Sequence, residues 1–556
     1  MENRAVILGG VAILALITGA ILGLFLKFDA GEAEKRMGEG ARSAEAESRP
    51  GKARGSVERP EVDEKASKGL PPGMAFAAAA MRALLEEMLK DDNALRNEVI
   101  LRFTDDEAYA DFLARARAEG VKLISSIDGL RAVRLRFENG QALHNELAQL
   151  DPDSVSLEAN YVYTTPSFST PEGAGAGVQE GAEAVGYQLF ERLGIDVDNS
   201  QWGLGVTIAI IDSGIASHVT FRDGQIRSFD LVGEAATAAS LAHGTAVASL
   251  VAGNNPRAPG IAPLADLLDI RVLDASGETS SFQIAEALNI AFQNGAQVAN
   301  LSLGSSSNSN VLNDVIIQVT DGGMVVVAAA GNDGGAVLYP AAYDQVIAVG
   351  SVDASGQHLL FSNSGDNIDI GAPGLGLPAA GSEGDVVGFS GTSSSAPVVA
   401  PSVAAVMSIY DVSATQAWNI IVESTVEGGA PGFDPQHGNG NLNLSSVSHA
   451  NDPSFTNLAV ASNYREGETL YVTVENRGRV PVYNGIVDVS IGSGDSTSTF
   501  SALDAGETLT FEYGIGADAA DDSGRTVVVS ETRFGGSPGT EDRVSFDNSL
   551  TTIYSD

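Results

Sequence analysis

The sequence contains no cysteine, and lysine is confined to its first part. Without cysteine the 556-residue chain has no disulfide framework, no thiolate ligand for zinc and no thiol nucleophile. All seven lysines lie at or before Lys122. With 72 acidic and 32 basic residues the net charge is −40. Such an acidic surface argues against nucleic acid and against an anionic membrane surface as partners.

One uncharged apolar run lies near the N-terminus and extends from Ala5 to Leu26. It is long enough to cross a bilayer as a helix, and the residues after it form a poor cleavage site for a signal peptidase. We therefore expect residues 1–28 to be a signal anchor, a transmembrane helix that holds the chain at the membrane. More basic residues follow the run than precede it, which by itself would keep the bulk of the chain in the cytoplasm. The domain organisation described below favours export instead.

The composition changes several times after this run, and the changes predict separate domains. Residues 29–95 have few large apolar side chains outside one short amphipathic helix, so they are predicted to form a flexible linker. Residues 96–165 show the order strand, helix, strand, strand, helix, strand, which predicts a small ferredoxin-like α+β domain. Residues 166–186 are rich in Gly, Ala and Glu and are expected to be an exposed linker.

The two remaining segments differ in their apolar pattern. Residues 187–449 alternate short apolar strands with helix-length segments, which predicts an α/β fold with a parallel sheet covered by helices. Residues 450–556 are rich in Thr, Ser, Val and Gly, with short alternating strands separated by turns. This pattern predicts an antiparallel β-sandwich of seven strands.

Four polar residues in the α/β segment have side chains suited to catalysis, and each is expected at the end of a strand or the start of a helix. Asp212 ends an apolar strand, and His243 is expected at the start of a closely packed helix. Ser393 precedes Pro397 and an apolar run, so it is expected at a helix N-terminus, where backbone N–H groups favour an anion. Asn332 ends another apolar strand and supplies an amide donor. Each residue alone has a credible alternative role as a helix cap or a turn residue.

Together the four short motifs resemble those of the subtilisin-like serine proteases, the subtilases. The motifs are Asp-Ser-Gly at 212–214, His-Gly-Thr at 243–245, Ala-Ala-Gly-Asn at 329–332 and Gly-Thr-Ser with a later proline at 391–397. The resemblance covers about residues 187–449 and implies peptide hydrolysis through an acyl-enzyme. It assigns the nucleophile to Ser393, the general base to His243, the orienting carboxylate to Asp212 and an oxyanion donor to Asn332.

The resemblance also implies a set of substrate-binding residues and the cofactor needs of the chain. Two segments are expected to bind a peptide backbone as an added strand, and one leucine is expected to narrow the pocket for the cleaved residue: Ser302, Leu303, Gly304, Ala329, Ala330, Gly331 and Leu338. We therefore expect small residues at the cleaved position.

No cofactor is required for the chemistry. Structural calcium is common in the family, but no strict calcium loop stands in the sequence and its ligands stay unassigned.

The segments before and after residues 187–449 resemble domains that are found together with subtilase domains. Residues 96–165 resemble the inhibitory propeptide of subtilases, whose last residues lie in the active-site cleft. Residues 450–556 resemble CARDB-type modules, which are immunoglobulin-like β-sandwiches. This arrangement implies an exported zymogen that cuts itself somewhere in 163–186, which would separate the protease from its anchor unless the propeptide stays bound. The expected partners are peptide or protein substrates, the chain's own propeptide and the membrane.

The sequence departs from the family pattern beside the nucleophile and the histidine. Ser394 and Ser395 stand where the family usually has Met and Ala, and Ala242 and Ala246 flank the histidine motif where Gly and a second His are common. None of these changes removes a reacting group. Two alternatives use the same fold: a catalytically silent surface-binding protein and a transpeptidase.

Overall fold

A computed structural model of the chain describes residues 72–166, 179, 182–429, 432–449, 452–516, 519–520, 525–534 and 548–555. The expected signal anchor, most of the linker in 29–95 and most of the linker in 166–186 lie outside these residues. The chain divides into two compact units, Met1–Tyr161 and Val162–Asp556.

The first unit contains three helices and a four-stranded antiparallel sheet. Its elements are α1 (Pro72–Lys90), β1 (Ala94–Phe103), α2 (Asp106–Ala114), β2 (Val121–Ile127), β3 (Ala132–Phe137), α3 (Gly140–Leu147) and β4 (Val155–Thr164), whose residues up to Tyr161 pair with β1. The strand order is β4–β1–β3–β2. Helix α2 ends at Ala114, because the chain turns to extended backbone at Arg115.

A buried carboxylate joins three strands of this sheet. Glu98 on β1 is 2% exposed and accepts two hydrogen bonds from the guanidinium of Arg134 at 2.7 and 3.0 Å. Arg136 and Asn160 donate to the same carboxylate at 2.8 and 2.7 Å. Burial opposes ionisation of Glu98, but the hydrogen bonds and charge of Arg134, with help from Arg136 and Asn160, hold its pKa below the ordinary value.

The second unit is built on a seven-stranded sheet whose neighbouring strands are all parallel. Its order is β14–β13–β12–β11–β5–β9–β6, with β5 in an interior position. The bounds are β5 (Thr207–Asp212), β6 (Ile226–Asp230), β9 (Asp266–Arg271), β11 (Val298–Leu301), β12 (Val325–Ala329), β13 (Val346–Val352) and β14 (Ile370–Pro373). These strands are almost entirely buried apart from β6, as a sheet covered on both faces requires.

Helices and short strand pairs complete this α/β region. The helices are α4 (Leu189–Arg192), α5 (Ala238–Ala252), α6 (Ser281–Gln293), α7 (Asn310–Asp321), α8 (Thr392–Tyr410), α9 (Ala414–Val422) and α10 (Ser445–Ser448). The short strands are β7 (Asn254–Asn255), β8 (Ala258–Pro259), β10 (Glu278–Ser280), β15 (Leu377–Ala380) and β16 (Val386–Phe389). Strand β10 pairs antiparallel with the last three residues of β4, Val162–Thr164, which belong to this unit.

The C-terminal region is β-rich and contains two antiparallel sheets. One has the order β17–β18–β21 and the other the order β20–β19–β22–β23. Their bounds are β17 (Leu458–Glu466), β18 (Thr469–Asn476), β19 (Val482–Ile491), β20 (Gly494–Leu503), β21 (Thr508–Gly514), β22 (Arg525–Phe534) and β23 (Ser549–Ser555). Alternate apolar residues of both sheets, among them Val460, Val472, Val487 and Val528, share one buried core.

The expectation of a parallel sheet with flanking helices is confirmed. Helix α8 is the one helix in the described part of the chain that is long and apolar enough to cross a bilayer, but 89% of its apolar window is buried inside the protein. It is therefore the core helix of this α/β region.

We predict that Glu98→Gln destabilises the first unit by about 3 kcal/mol, because the guanidinium of Arg134 would remain buried without its counter-charge. Arg136→Gln removes the half-exposed partner, whose side chain is 50% accessible, and should cost less than about 1 kcal/mol. Amide hydrogen exchange in β1 and β3 measures both effects. Equal protection losses for the two variants would contradict the central role of the buried pair.

Candidate active site

The candidate catalytic residues lie at the carboxyl edge of the parallel sheet. Asp212 is the last residue of β5, and the motif residues 302–304 follow the end of β11. Ala329 ends β12, and Ala330, Gly331 and Asn332 come directly after it. Carboxyl ends of neighbouring parallel strands meet at one edge, so strand order brings these distant segments together.

Asp212 and His243 form a direct hydrogen-bonded pair. The Nδ1 atom of His243 lies 2.8 Å from Oδ1 and 3.0 Å from Oδ2 of Asp212. The carboxylate is 1% exposed, whereas the imidazole side chain is 23% exposed, and it lies edge-on to the ring of Phe389 with centroids 5.4 Å apart. A carboxylate on Nδ1 fixes the tautomer that leaves Nε2 as the proton acceptor.

The sequence suggested that His243 starts its helix, but the structure places it more than a turn inside the helix. Helix α5 begins at Ala238 and is capped by Thr237, which forms a reciprocal pair of hydrogen bonds with Ser240. The segment before the histidine consists of small residues apart from Leu241 and has no apolar period, so this extra turn and a half could not be predicted from it. The imidazole is thus held by a regular, packed helix.

Gly244 allows helix α5 to approach the end of β5. A Cβ atom on this glycine would lie 2.5 Å from the carbonyl oxygen of Gly214 and 3.2 Å from Oδ1 of Asp212. The N–H of Gly244 donates to the hydroxyl of Ser213, and Thr245 accepts from the N–H of Ala216 at 2.9 Å. The His-Gly-Thr and Asp-Ser-Gly motifs therefore fit together as one unit.

Ser393 is the second residue of helix α8, as expected. Gly391 precedes the helix with φ of 115°, a conformation that favours glycine. Pro397 lies inside the helix rather than in its first turn. Because proline has no N–H, the carbonyl of Ser393 has no partner four residues on, and it accepts instead from the hydroxyl of Ser302 at 3.0 Å.

The hydroxyl of Ser393 makes a single long hydrogen bond, of 3.5 Å, to the carbonyl of Ser302. In the part of the chain that the structure describes, no hydrogen bond joins it to His243.

Asn332 is oriented by the start of the same helix. Its Oδ1 atom accepts from the N–H of Thr392 at 2.8 Å and from the Thr392 hydroxyl at 2.9 Å. These two donors assign the oxygen end of the amide, so the Nδ2 end faces the opposite way. There it donates to the carbonyl oxygen of Pro166 at 2.8 Å.

Residues 162–166 lie along the edge of this site as an extra strand. Thr164 exchanges two hydrogen bonds with Gly304, at 3.1 and 2.8 Å, and pairs on its other side with β10. Among the described residues no hydrogen bond joins Ala329–Gly331 to this segment. The second backbone partner is β10, which sequence reasoning missed because Glu278, Thr279 and Ser280 carry no apolar signal.

Ser394 and Ser395 are held by hydrogen bonds to their surroundings. The Ser394 hydroxyl donates to the carbonyl of Gly391 at 2.8 Å, and that of Ser395 donates to Ser351 at 3.1 Å. Both residues are fully buried. The two extra hydroxyls are thus satisfied by hydrogen bonds inside the protein.

The comparisons with known proteins show the family of this chain. The model of the subtilase family matches residues 203–440. M-protease of Shouchella clausii is 32% identical over 340 residues, which are 60% of this chain and 85% of that protein. The chain belongs to the subtilase family.

Subtilisin Savinase of Lederbergia lenta is 40% identical to this subtilase over 207 residues, 37% of this chain and 77% of that protein. Among solved structures, the protease domain of PatA, as a serine-to-alanine mutant, is 25% identical with a TM-score of 0.42, covering 46% of this chain and 99% of that one. By its family and relatives the protein is a subtilisin-like serine endopeptidase.

No group of three or more His, Asp or Glu side chains that could hold a metal ion occurs among the described residues. The expectation of structural calcium therefore remains a prediction.

A second buried carboxylate lies behind Asp212. Asp269 on β9 is 5% exposed, and its buried Oδ1 atom has no hydrogen-bond partner among the described residues. Burial, with a smaller contribution from the charge of Asp212, raises the pKa of Asp269 to about 6. Above this pH the folded protein contains a charged carboxylate with little access to water.

We predict that Asp269→Asn stabilises the protein at pH 7.5 by about 1–3 kcal/mol and has little effect near pH 4. As the pH falls from about 6 toward 4, Asp269 takes up a proton in the folded wild type before it does so in the unfolded chain. The cost of burying its charge therefore disappears. Urea unfolding with a covalent serine-protease inhibitor present measures this difference. Asp266→Asn, at an exposed position of the same strand, is the control and should show no such pH-dependent gain.

Proposed function

We propose that this subtilase hydrolyses peptide bonds with Asp212, His243 and Ser393 as its catalytic triad. The observation that carries the proposal is the Pro166 carbonyl, which accepts a hydrogen bond from the amide of Asn332 while Thr392, beside the serine, fixes that amide. A backbone carbonyl is thus bound where an oxyanion would form.

In the proposed reaction the hydroxyl oxygen of Ser393 attacks the substrate carbonyl carbon and Nε2 of His243 takes its proton. Asp212 stabilises the resulting imidazolium through Nδ1. The developing oxyanion accepts hydrogen bonds from Asn332 and from the N–H of Ser393 at the helix N-terminus. The imidazolium then protonates the leaving amine, and water hydrolyses the acyl-enzyme by the same route. These steps need no cofactor.

We also propose that the chain is made as a self-processing zymogen. Residues 96–165 would be its inhibitory propeptide, a role supported by the strand order β4–β1–β3–β2, which is that of a ferredoxin-like domain. Residues 162–164 pair with β10 and with Gly304, so they would exclude a substrate that used the same edge. Residues 1–28 would anchor the exported precursor to the membrane, and cutting would separate residues 187–556 from that anchor.

The C-terminal region is proposed to be an immunoglobulin-like, CARDB-type module. Its support is the pairing of a three-stranded and a four-stranded antiparallel sheet around one apolar core. The catalytic domain would then extend over residues 187–449 and the module over 450–556.

Ser393→Ala should abolish both processing and reaction with a fluorophosphonate probe, because it removes the attacking oxygen. Residues 29–556 are expressed as wild type and variant and followed by gel electrophoresis and probe labelling. Ser394→Ala is the matched control, since its hydroxyl binds Gly391, and it should keep both activities. A wild type that stays full-length and unlabelled would refute the proposal.

Asn332→Ala should lower kcat by about 10²–10³-fold with a much smaller change in KM, the magnitude known for removing such an oxyanion donor in subtilisin. Rates are measured on processed enzyme and normalised to titrated active sites. Thr392→Val removes one of the two hydrogen bonds that orient the amide but leaves its donor, so its loss should be far smaller. Equal losses would argue that Asn332 acts only through the fold.

A further inference from the structure

Two histidines outside the candidate active site lie side by side in the α/β region. His358 is in the loop that follows β13, and His437 is in the segment between α9 and α10. Their ring centroids are 6.1 Å apart, with the ring planes inclined at 71°. In each ring the Nε2 atom is buried and has no hydrogen-bond partner among the described residues. A buried nitrogen without a partner costs free energy, so the pair requires an explanation.

A carboxylate determines which nitrogen of His437 carries the proton. The Nδ1 atom lies 3.3 and 3.2 Å from Oδ1 and Oδ2 of Asp434. This carboxylate is held in place, because its Oδ1 accepts from the N–H groups of Gln436 and His437 at 2.8 and 3.1 Å. An ionised carboxylate only accepts, so Nδ1 of a neutral His437 carries the proton and Nε2 keeps a lone pair. A carboxylate on the far nitrogen is the usual companion of a metal-bound histidine.

The ring of His437 is confined by its surroundings and is 2% exposed. A Cβ atom on Gly428 would lie 2.6 Å from Cδ2 of this ring, and one on Gly429 would lie 2.9 Å from its Nδ1. Asn441 joins the loops of the two histidines by donating to the carbonyl of Gly356 at 2.9 Å. The lone pair on Nε2 is therefore fixed in direction before any ligand binds.

The spacing of the two rings fits one ion bound between them. A Zn–N bond is about 2.0–2.1 Å and the ring centroid lies about 1.1 Å beyond the nitrogen, so two imidazoles on one ion have centroids at most about 6.4 Å apart. The observed 6.1 Å is within this limit. A tetrahedral angle would need a separation of about 5 Å. His358 is the less buried ring and is the one that would move.

The ligand atoms determine the class of ion. Both are imidazole nitrogens, whereas Ca²⁺ and Mg²⁺ take oxygen ligands. Imidazole suits Zn²⁺ and its first-row neighbours such as Cu²⁺ and Ni²⁺. Burial also favours the neutral imidazole, which is the form that binds a metal.

We propose that His358 and His437 bind one divalent transition-metal ion of the Zn²⁺ class, with Asp434 as the orienting carboxylate. Water would occupy the remaining coordination positions, because no third His, Asp or Glu completes the group among the described residues. The ion would join the loop after β13 to the segment before α10. This inference does not depend on the proposed function, since neither histidine belongs to the triad.

The loop of His358 also binds the end of the proposed processing region. The N–H of Ala354 donates to the carbonyl of Glu183 at 3.0 Å, and Asp353 accepts from the N–H of Glu183 at 3.2 Å. The carbonyl of His358 accepts from the side chain of Gln179 at 2.9 Å. An ion at His358 would therefore stabilise the folded protein and the contacts of this loop.

Calorimetric titration with Zn²⁺ tests the site. Residues 29–556 carrying Ser393→Ala, which prevents self-digestion, are treated with EDTA and transferred to metal-free buffer. We expect one Zn²⁺ per chain. At a free Zn²⁺ concentration a hundredfold above Kd, the midpoint of thermal unfolding should rise by about 3–8 °C. Asp434→Asn should weaken binding about 10–100-fold, the effect of removing a carboxylate behind a metal-bound histidine.

Histidine variants in the same background locate the ion. His358→Asn and His437→Asn should each abolish binding of the single Zn²⁺. His449→Asn is the matched control, because this buried histidine also has a carboxylate, that of Asp196, 2.8 Å from its Nε2, and it should bind Zn²⁺ as the parent does. His243→Asn should also retain binding. If His437→Asn fails to fold, the half-buried His358 and Asp434→Asn still decide the question.

Cu²⁺ counts the ligands independently. With one equivalent bound, electron paramagnetic resonance should show coupling to two imidazole nitrogens in the parent and to one after His358→Asn. A parent that binds no Zn²⁺, binding lost in His243→Asn, or binding unchanged in both His358→Asn and Asp434→Asn would overturn the inference. The two nitrogens would then be satisfied by water only.

Discussion

The arrangement of the site depends on how closely helix α5 approaches the carboxyl end of β5. Asp212 is fixed by its strand and His243 by its helix, and their hydrogen bond of 2.8 Å exists only because Gly244 leaves room for the carbonyl of Gly214. Any side chain at Gly244 would push the helix outward and separate the two reacting groups. The packing of one glycine therefore sets the geometry of the proposed base.

A second contact connects the remaining groups. Thr392, the first residue of helix α8, holds the oxygen end of the Asn332 amide, so the helix that positions Ser393 also aims the proposed oxyanion donor. The carbonyl that Pro397 leaves without a helical partner is satisfied by Ser302, which belongs to the proposed substrate-binding edge. The proposed nucleophile, donor and binding edge are thus joined by hydrogen bonds and would move together.

The sequence was sufficient to predict elements whose apolar pattern is strong. The apolar run ending at Asp212 predicts a buried strand and its polar end, and the run after Pro397 predicts helix α8. The start of α5 escaped prediction because its first residues are small and its cap, Thr237 with Ser240, resembles loop composition. Strand β10 escaped because its pairing partner, Val162–Thr164, lies more than a hundred residues away, and no local pattern encodes such a contact. In the sequence, Asp269 is a single polar residue within an apolar strand, and the pattern does not predict whether it is buried. Its burial follows from the packing of β9 between β5 and β6.

The proposed inhibition depends on a small number of contacts. The backbone pairing of Thr164 with Gly304 sets the register of the bound segment, and the buried Tyr163 hydroxyl donates to the carbonyl of Ser307. Pro166 has no N–H and adds no donor to this pairing, so its carbonyl reaches Asn332 through the contacts made before it. The proposed inhibitor would therefore be positioned by Tyr163 and Thr164, and the proposed oxyanion donor would bind a carbonyl that these two residues have already placed.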